Sequence, residues 1–278
     1  MTDSDSSFSD SSKSEYSDIN VSTEGYVRTI ELNRPPNNFF DYSLIGEIAD
    51  AFTAADADSN CRAIVLAAAG KHFCAGANFG TGNDDNTGSD DFTEEGFRNT
   101  TGKLYREAAR LFECRTPIVG AIHGAAIGGG LGLALVPDFR IACPEARFAA
   151  NFTKLGIHQG FGISVTLPRI VGQQAAAMML LTARRIGGEE AAEIGLVDIL
   201  TSFEQVRDRA MELAREIAAN APLAVSSVKA TLRQSLADQV RSATEHELKE
   251  QQWLRATEDA GEGIRAVAER RPGNFQGR

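Results

Sequence analysis

Residues 116–132, TPIVGAIHGAAIGGGLG, constrain the fold more than any other stretch of the chain. An apolar run carrying the β-branched pair Ile118 and Val119 reads as a buried strand. Small residues follow, and Gly128, Gly129 and Gly130 then open a second apolar run to Val136. Strand, glycine turn and buried helix are predicted in that order. A helix entered through glycines lets a ligand approach the backbone closely and presents N–H groups that no intrahelical carbonyl satisfies. Such donors can hold an anion or a developing oxyanion. The dinucleotide-binding fingerprint fails by one residue, because Gly128 and Gly130 would need a glycine where Leu133 stands. Glycines that serve only close helix packing are the blander alternative.

At 278 residues the chain is long enough for one large domain. Its apolar stretches are interrupted by Gly, Pro or charge well before a bilayer span, and the Ser- and Asp-rich N-terminus lacks the basic and apolar regions of a signal peptide. A cytoplasmic location is expected. Cys61, Cys74, Cys114 and Cys143 are widely spaced without metal-ligand pairing, so buried reduced thiols and no metal are expected. A net charge of −10 opposes binding to a nucleic-acid backbone.

Residues 1–20 carry too few apolar groups to repay ordering and read as a disordered acidic leader, with order beginning near Gly25. YVRTIEL alternates as a strand, IGEIADAFTAADAD has helical periodicity and CRAIVLAAAG reads as a buried strand. Together they predict an α/β architecture. The polar stretch 80–95 is expected to be mobile. GFRNTTGKLYREAARLFECR fits an amphipathic helix and FRIACPEARFAANF two extended pieces. GISVTLPRIVG and AAAMMLLTARRIG read as helices broken by Gly172 and by Gly187 and Gly188. The chain from Ser202 onward is helical. The predicted organisation is thus a leader (1–20), a core (21–202) and a C-terminal helical region (203–278).

LNRPPNN, FCAGANF, AIHGAAIGGGLGLAL, PEARFAANFTKLGIHQGFG, LTARRIGGEEAAEIGLVDIL and EGIRAVAERRPGNF follow one another in the chain. In this order they resemble the crotonase superfamily, the enoyl-CoA hydratase/isomerase group, from about Val27 to Phe275. The resemblance implies a spiral of ββα units with a C-terminal helical trimerisation region, assembled as a homotrimer or a dimer of trimers. It implies an acyl-CoA thioester as substrate, with coenzyme A carried on the substrate and no separate cofactor. The thioester oxygen would be held by two amides, of Ala77 and Gly129, while an enolate develops. Contacts to the CoA portion would fall near Arg34, Ala75, Asn78 and Phe79, with Arg271 or Arg270 for the nucleotide phosphates.

The family's hydratases handle water and the α-proton with two glutamates, whose positions fall here on Gly132 and Phe152. Both carboxylates are absent, so conventional hydration is disfavoured. Phe152 would make the acyl pocket more apolar. The loop Ile157–Phe161, where other branches carry an acidic or phenolic group, offers His158 and Gln159. Histidine as a residue type can donate or accept a proton near neutral pH, so His158 is the leading candidate base; a helix cap or packing role is its alternative. Asn151, Lys154 and His123 read as structural or solvated. Cys74 reads as a pocket-lining thiol, Asp138 as structural, and Glu145, Glu189 and Glu190 as surface groups. GISVT lacks the second glycine of a serine nucleophile elbow. Isomerisation, decarboxylation and thioester hydrolysis fit these residues better than addition of water. The alternative is a catalytically inactive acyl-CoA-binding or assembly subunit.

Overall fold

The computed structural model describes residues 16–77, 96 and 99–278. In chain order the strands are β1 (Ile19–Glu24), β2 (Val27–Leu32), β3 (Ala63–Ala68), β4 (Ile118–Ile122), β5 (Ala125–Ile127), β6 (Phe139–Ala142), β7 (Arg147–Ala149), β8 (Arg185–Gly187) and β9 (Ile199–Leu200). β3, AIVLAA, is buried at every position, as a strand covered on both faces must be. It sits inside a six-stranded sheet of order β1-β2-β3-β4-β6-β9, antiparallel at β1–β2 and parallel thereafter. β5, β7 and β8 form a second, three-stranded sheet.

The helices are α1 (Tyr42–Ala57), α2 (Thr101–Arg110), α3 (Gly129–Ala134), α4 (Ile163–Thr182), α5 (Gly188–Glu193), α6 (Val206–Ala218), α7 (Pro222–Leu232), α8 (Leu236–Leu254) and α9 (Glu258–Ala268). Asp41 caps α1 by accepting from the Leu44 amide at 2.9 Å, which satisfies one of the four orphan donors of that helix start. α4 is broken where expected, at Gly172, whose φ of 78° and ψ of 161° are non-helical. No helix among the described residues is long and apolar enough to cross a membrane.

Two expected boundaries move. Order begins before Gly25, because Ile19 opens β1 and is buried, while Gly25 turns the β1–β2 hairpin at φ 58°. The Ser17 and Asp18 amides donate to the Glu47 carboxylate at 3.0 and 2.7 Å, tying the chain before β1 to α1. β1 was illegible because its burial pattern exposes five of six residues, which is edge-strand behaviour. The leader through residue 15, the polar stretch 80–95, and Asn78 and Phe79 lie outside the described residues. At the other end, α6 packs on β2, β3, β4 and β6 of its own chain, so the core continues past residue 202 to the end of this helix.

Candidate active site

Two turns meet at the centre of the molecule. Asn38, fully buried, donates from Nδ2 to the carbonyls of Ala69 and His72, both at 2.7 Å, and accepts from the Arg34 amide at 2.9 Å. This fixes the LNRPPNN segment against the start of the first turn. Within that turn the Cys74 amide donates to Ala125 O and the Ala75 amide to Asn37 O, each at 2.9 Å, and the Gly76 amide faces Cys74 Sγ. The Ala77 amide has no acceptor among the described residues.

The second turn is built by glycines that have no substitute. Gly128 holds φ 58° and ψ −124°, in the region that favours glycine, and donates to Ala149 O at 2.8 Å. Among the described residues the Gly129 amide, first in α3, likewise has no acceptor. The turns are sewn together by Cys74 N–H to Ala125 O and by Ile127 N–H to Cys74 O at 3.1 Å. Their backbones touch: a Cβ on Gly130 would lie 2.1 Å from Cys74 O, and one on Gly76 would lie 2.9 Å from Ile127 O. The structure therefore places Ala77 and Gly129 on adjoining, mutually braced turns. A rigid pair of unsatisfied amides is what a developing oxyanion needs, because no reorganisation accompanies its stabilisation.

Aromatic rings close over α3. A Cβ on Gly132 would lie 2.6 Å from the Phe161 ring, and one on Gly129 would lie 2.3 Å from Phe40. Phe40 and Phe161 meet edge to face with centroids 5.6 Å apart. Phe152 and Asn151 sit over Gly128, their nearest atoms 3.8 and 3.1 Å from its Cβ position. The space above Gly132 is thus filled by Phe161, a residue that periodicity could not connect to it. Tyr105 is a second such case: its hydroxyl lies 1.7 Å from where a Gly160 Cβ would stand.

His158 is on the same loop as Phe161. Its Nδ1 is 2.8 Å from Gln159 O. A carbonyl only accepts, so Nδ1 is the donor in this contact, and Nε2 lies outside it. The imidazole lines a groove of ≈ 720 Å³ whose other walls include Gln159, Ser164, Leu180 and Trp253. Ala77 and Gly129 are not among the residues lining that groove.

The remaining candidates have settled partners. Arg34 is forked onto Asp18, donating from Nε at 2.7 Å, and pairs with Asp41 at 2.7 Å, so its guanidinium is already committed to two carboxylates. Arg271 pairs with Glu262 and Glu269 on the surface, and the Arg271 hydrogen bond holds the Glu262 carboxyl down at about 2. Cys74 is fully buried rather than pocket-lining, and burial pushes its thiol up to about 12, which removes it as a nucleophile. His123 faces Gly70 O from Nε2 at 3.1 Å. Asp138 accepts from the Ile118 amide and pairs with Lys229 and Arg233, a structural knot.

The family model for enoyl-CoA hydratase/isomerase matches residues 22–278. Carnitinyl-CoA dehydratase of Proteus mirabilis (strain HI4320) is 32% identical over 265 residues, covering 94% of this chain and 98% of that protein. The crystal structure of an enoyl-CoA hydratase/isomerase from Pseudoalteromonas atlantica T6c superposes with a TM-score of 0.80 at 28% identity, over 94% of this chain and all (100%) of the other. That of an enoyl-CoA hydratase from Bacillus anthracis gives 0.72 at 30% identity, over 94% and 100%. The chain belongs to the enoyl-CoA hydratase/isomerase family of the crotonase superfamily, and its mixed α/β fold with C-terminal helices is that family's fold.

Proposed function

We propose that this protein transforms an acyl-CoA thioester through an enolate, with the Ala77 and Gly129 amides as the oxyanion donors and His158 as the base. The observation that carries the reading is the pair of unsatisfied amides on two turns sewn together through Cys74, Ala125 and Ile127. In the step envisaged, the α-proton passes to His158 Nε2, the C–H electron pair becomes the carbon–carbon double bond of the enolate, and the carbonyl π pair moves onto the thioester oxygen, to which the two amides donate. His158 belongs to the loop that packs on α3 through Phe161, which joins it to the glycine helix.

Phe40, Phe152 and Phe161 around α3 favour an apolar acyl chain or ring. Phe161 over Gly132 leaves no room for a carboxylate there, which favours isomerisation, decarboxylation or thioester hydrolysis over addition of water. The same observation favours the second reading, an acyl-CoA-binding subunit without turnover. Assembly as a homotrimer or dimer of trimers is part of the proposal. It is supported by α7, which leaves Leu223, Val228 and Leu232 exposed. A cytoplasmic location is carried forward from the sequence pattern, and the CoA contacts near Arg34, Ala75, Asn78, Phe79 and Arg271 on the family resemblance alone.

The test is product analysis by mass spectrometry with saturated, enoyl, malonyl-type and aromatic acyl-CoAs, on wild type and His158→Ala. Loss of the base should lower turnover roughly 100-fold or more, the usual scale for general base catalysis. Unchanged turnover in His158→Ala removes His158 from the mechanism. Binding without turnover in the wild type favours the second reading.

A further inference from the structure

α8 carries a buried stripe at Val240, Thr244, Glu247 and Gln251, spaced 4, 3 and 4 residues apart on one face. Three of the four are polar. Glu247 has no exposed surface, and burial pushes its carboxyl above the usual range. Burying a carboxylate is costly unless donors surround it, and here they do. Its oxygens accept from the Gly162 amide at 2.8 Å, the Ser164 amide at 3.0 Å and Ser164 Oγ at 2.6 Å.

Ser164 Oγ in turn accepts from Gln159 Nε2 at 3.0 Å. One helical turn further on, Gln251 donates from Nε2 to His158 O at 2.8 Å and accepts from the Tyr105 hydroxyl at 3.0 Å. The loop 158–164 is therefore held along its length by one helix, with Tyr105 of α2 as backing. A carboxylate that did no more than cap α4 would leave Gln251, Tyr105 and the Gln159 contact unexplained.

We propose that Glu247 is a positioning residue for the active-site loop: with Gln251 it fixes His158 and Phe161 in place, and it supplies the buried negative charge that balances the imidazolium formed when His158 Nε2 accepts a proton. The second half of this inference rests on the reading of His158 as the base. The other titratable or charged groups near His158 are His246, whose ring centroid is 5.9 Å away, Tyr105 of α2 behind Gln251, and Asp259 and Arg278 on the groove wall. Burial keeps Tyr105 protonated, Arg255 beside Tyr105 is cationic, and Asp259 belongs to the open groove, so Glu247 is the fully buried carboxylate packed against the loop.

The experiment uses the full chain with Glu247→Gln, Glu247→Asp and Ser164→Ala, and follows enolate formation as exchange of the substrate α-proton. Glu247→Gln keeps the shape and removes the charge. Its kcat is expected to fall roughly tenfold or more with KM within about twofold, because the interaction is stronger in the transition state than in the ground state. The acid limb of its rate profile should move to lower pH, since an imidazolium without its counter-charge forms less readily.

Glu247→Asp should recover part of kcat, and Ser164→Ala, which keeps the carboxylate, should leave the acid limb in place. A Glu247→Gln protein with a lowered melting temperature but wild-type kcat and profile overturns the proposal. If Glu247→Gln does not fold, a Ser164→Ala acid limb displaced to lower pH overturns it instead. The underlying reading fails separately: His158→Ala exchanging at the wild-type rate would show that no proton reaches His158.

Discussion

Gly130→Ala is expected to inactivate the protein while leaving most of its fold intact. The added Cβ would stand 2.1 Å from Cys74 O and 2.8 Å from the Cys74 carbonyl carbon, both backbone atoms that cannot rotate away. Either α3 or the Cys74–Ala77 turn must shift, and with it the spacing of the Ala77 and Gly129 amides. Losing one oxyanion donor costs about 3 kcal/mol of transition-state stabilisation, which corresponds to a fall of roughly 100-fold in turnover. Gly46→Ala is the control. A Cβ there meets nothing within 4 Å, and the residue lies inside α1. That change should leave turnover alone and stabilise the protein by about 0.5–1 kcal/mol. Turnover assays and thermal melts of the two variants side by side check the pair of expectations. Equal activity in both would mean that the contact between the turns does not set the donor geometry.

Gly132→Glu is the second large effect, and its direction runs against intuition. This change installs a carboxylate where the family resemblance would put one, yet it should lower stability rather than create a hydratase. The Cβ position is 2.6–2.8 Å from three atoms of Phe161, itself 1% exposed. Overpacking of this kind costs about 1–3 kcal/mol, and an unpaired buried carboxylate adds to it. The two costs together come to about 3 kcal/mol, so at roughly 2–4 °C per kcal/mol for a chain of this size the melting temperature should fall by about 6–12 °C. The double variant Gly132→Glu/Phe161→Ala removes the obstructing ring and should recover part of that loss. Thermal melts of the single and double variants decide the matter. A single variant as stable as the wild type would show that Phe161 yields and that the site can admit a carboxylate after all.

Much of this arrangement is legible in the sequence because its physics is local. The β-branched run before Gly128 and the glycines after it specify strand, turn and helix through neighbouring residues, and the structure has β4, β5 and α3 there. The break at Gly172 and the caps and periodicity of α1 are local in the same sense. What escapes is whatever depends on a distant partner. Phe161 and Gly132 are 29 residues apart, and neither carries a mark of the other. Tyr105 reads as one apolar position of an amphipathic helix, although its hydroxyl stands over Gly160. Glu247 and Gln251 lie in a charged, amphipathic run in which polar residues do not announce a buried stripe, because a helix displays its buried face only once its neighbours are known. Arg34 shows the converse: its place in LNRPPNN suggests a contact near the CoA portion, and nothing local announces that Asp18, before β1, pairs with it.

The central claim is that the Ala77 and Gly129 amides support an enolate. Its most direct test is to incubate the purified wild-type protein with the acyl-CoA panel in deuterated water and follow the mass of each thioester. The account predicts deuterium at the α-carbon of at least one apolar acyl-CoA, with or without a new product, and its loss in Gly130→Ala. Measurable binding of the same thioesters, with neither exchange nor product, would contradict it and leave the chain as an acyl-CoA-binding member of its family.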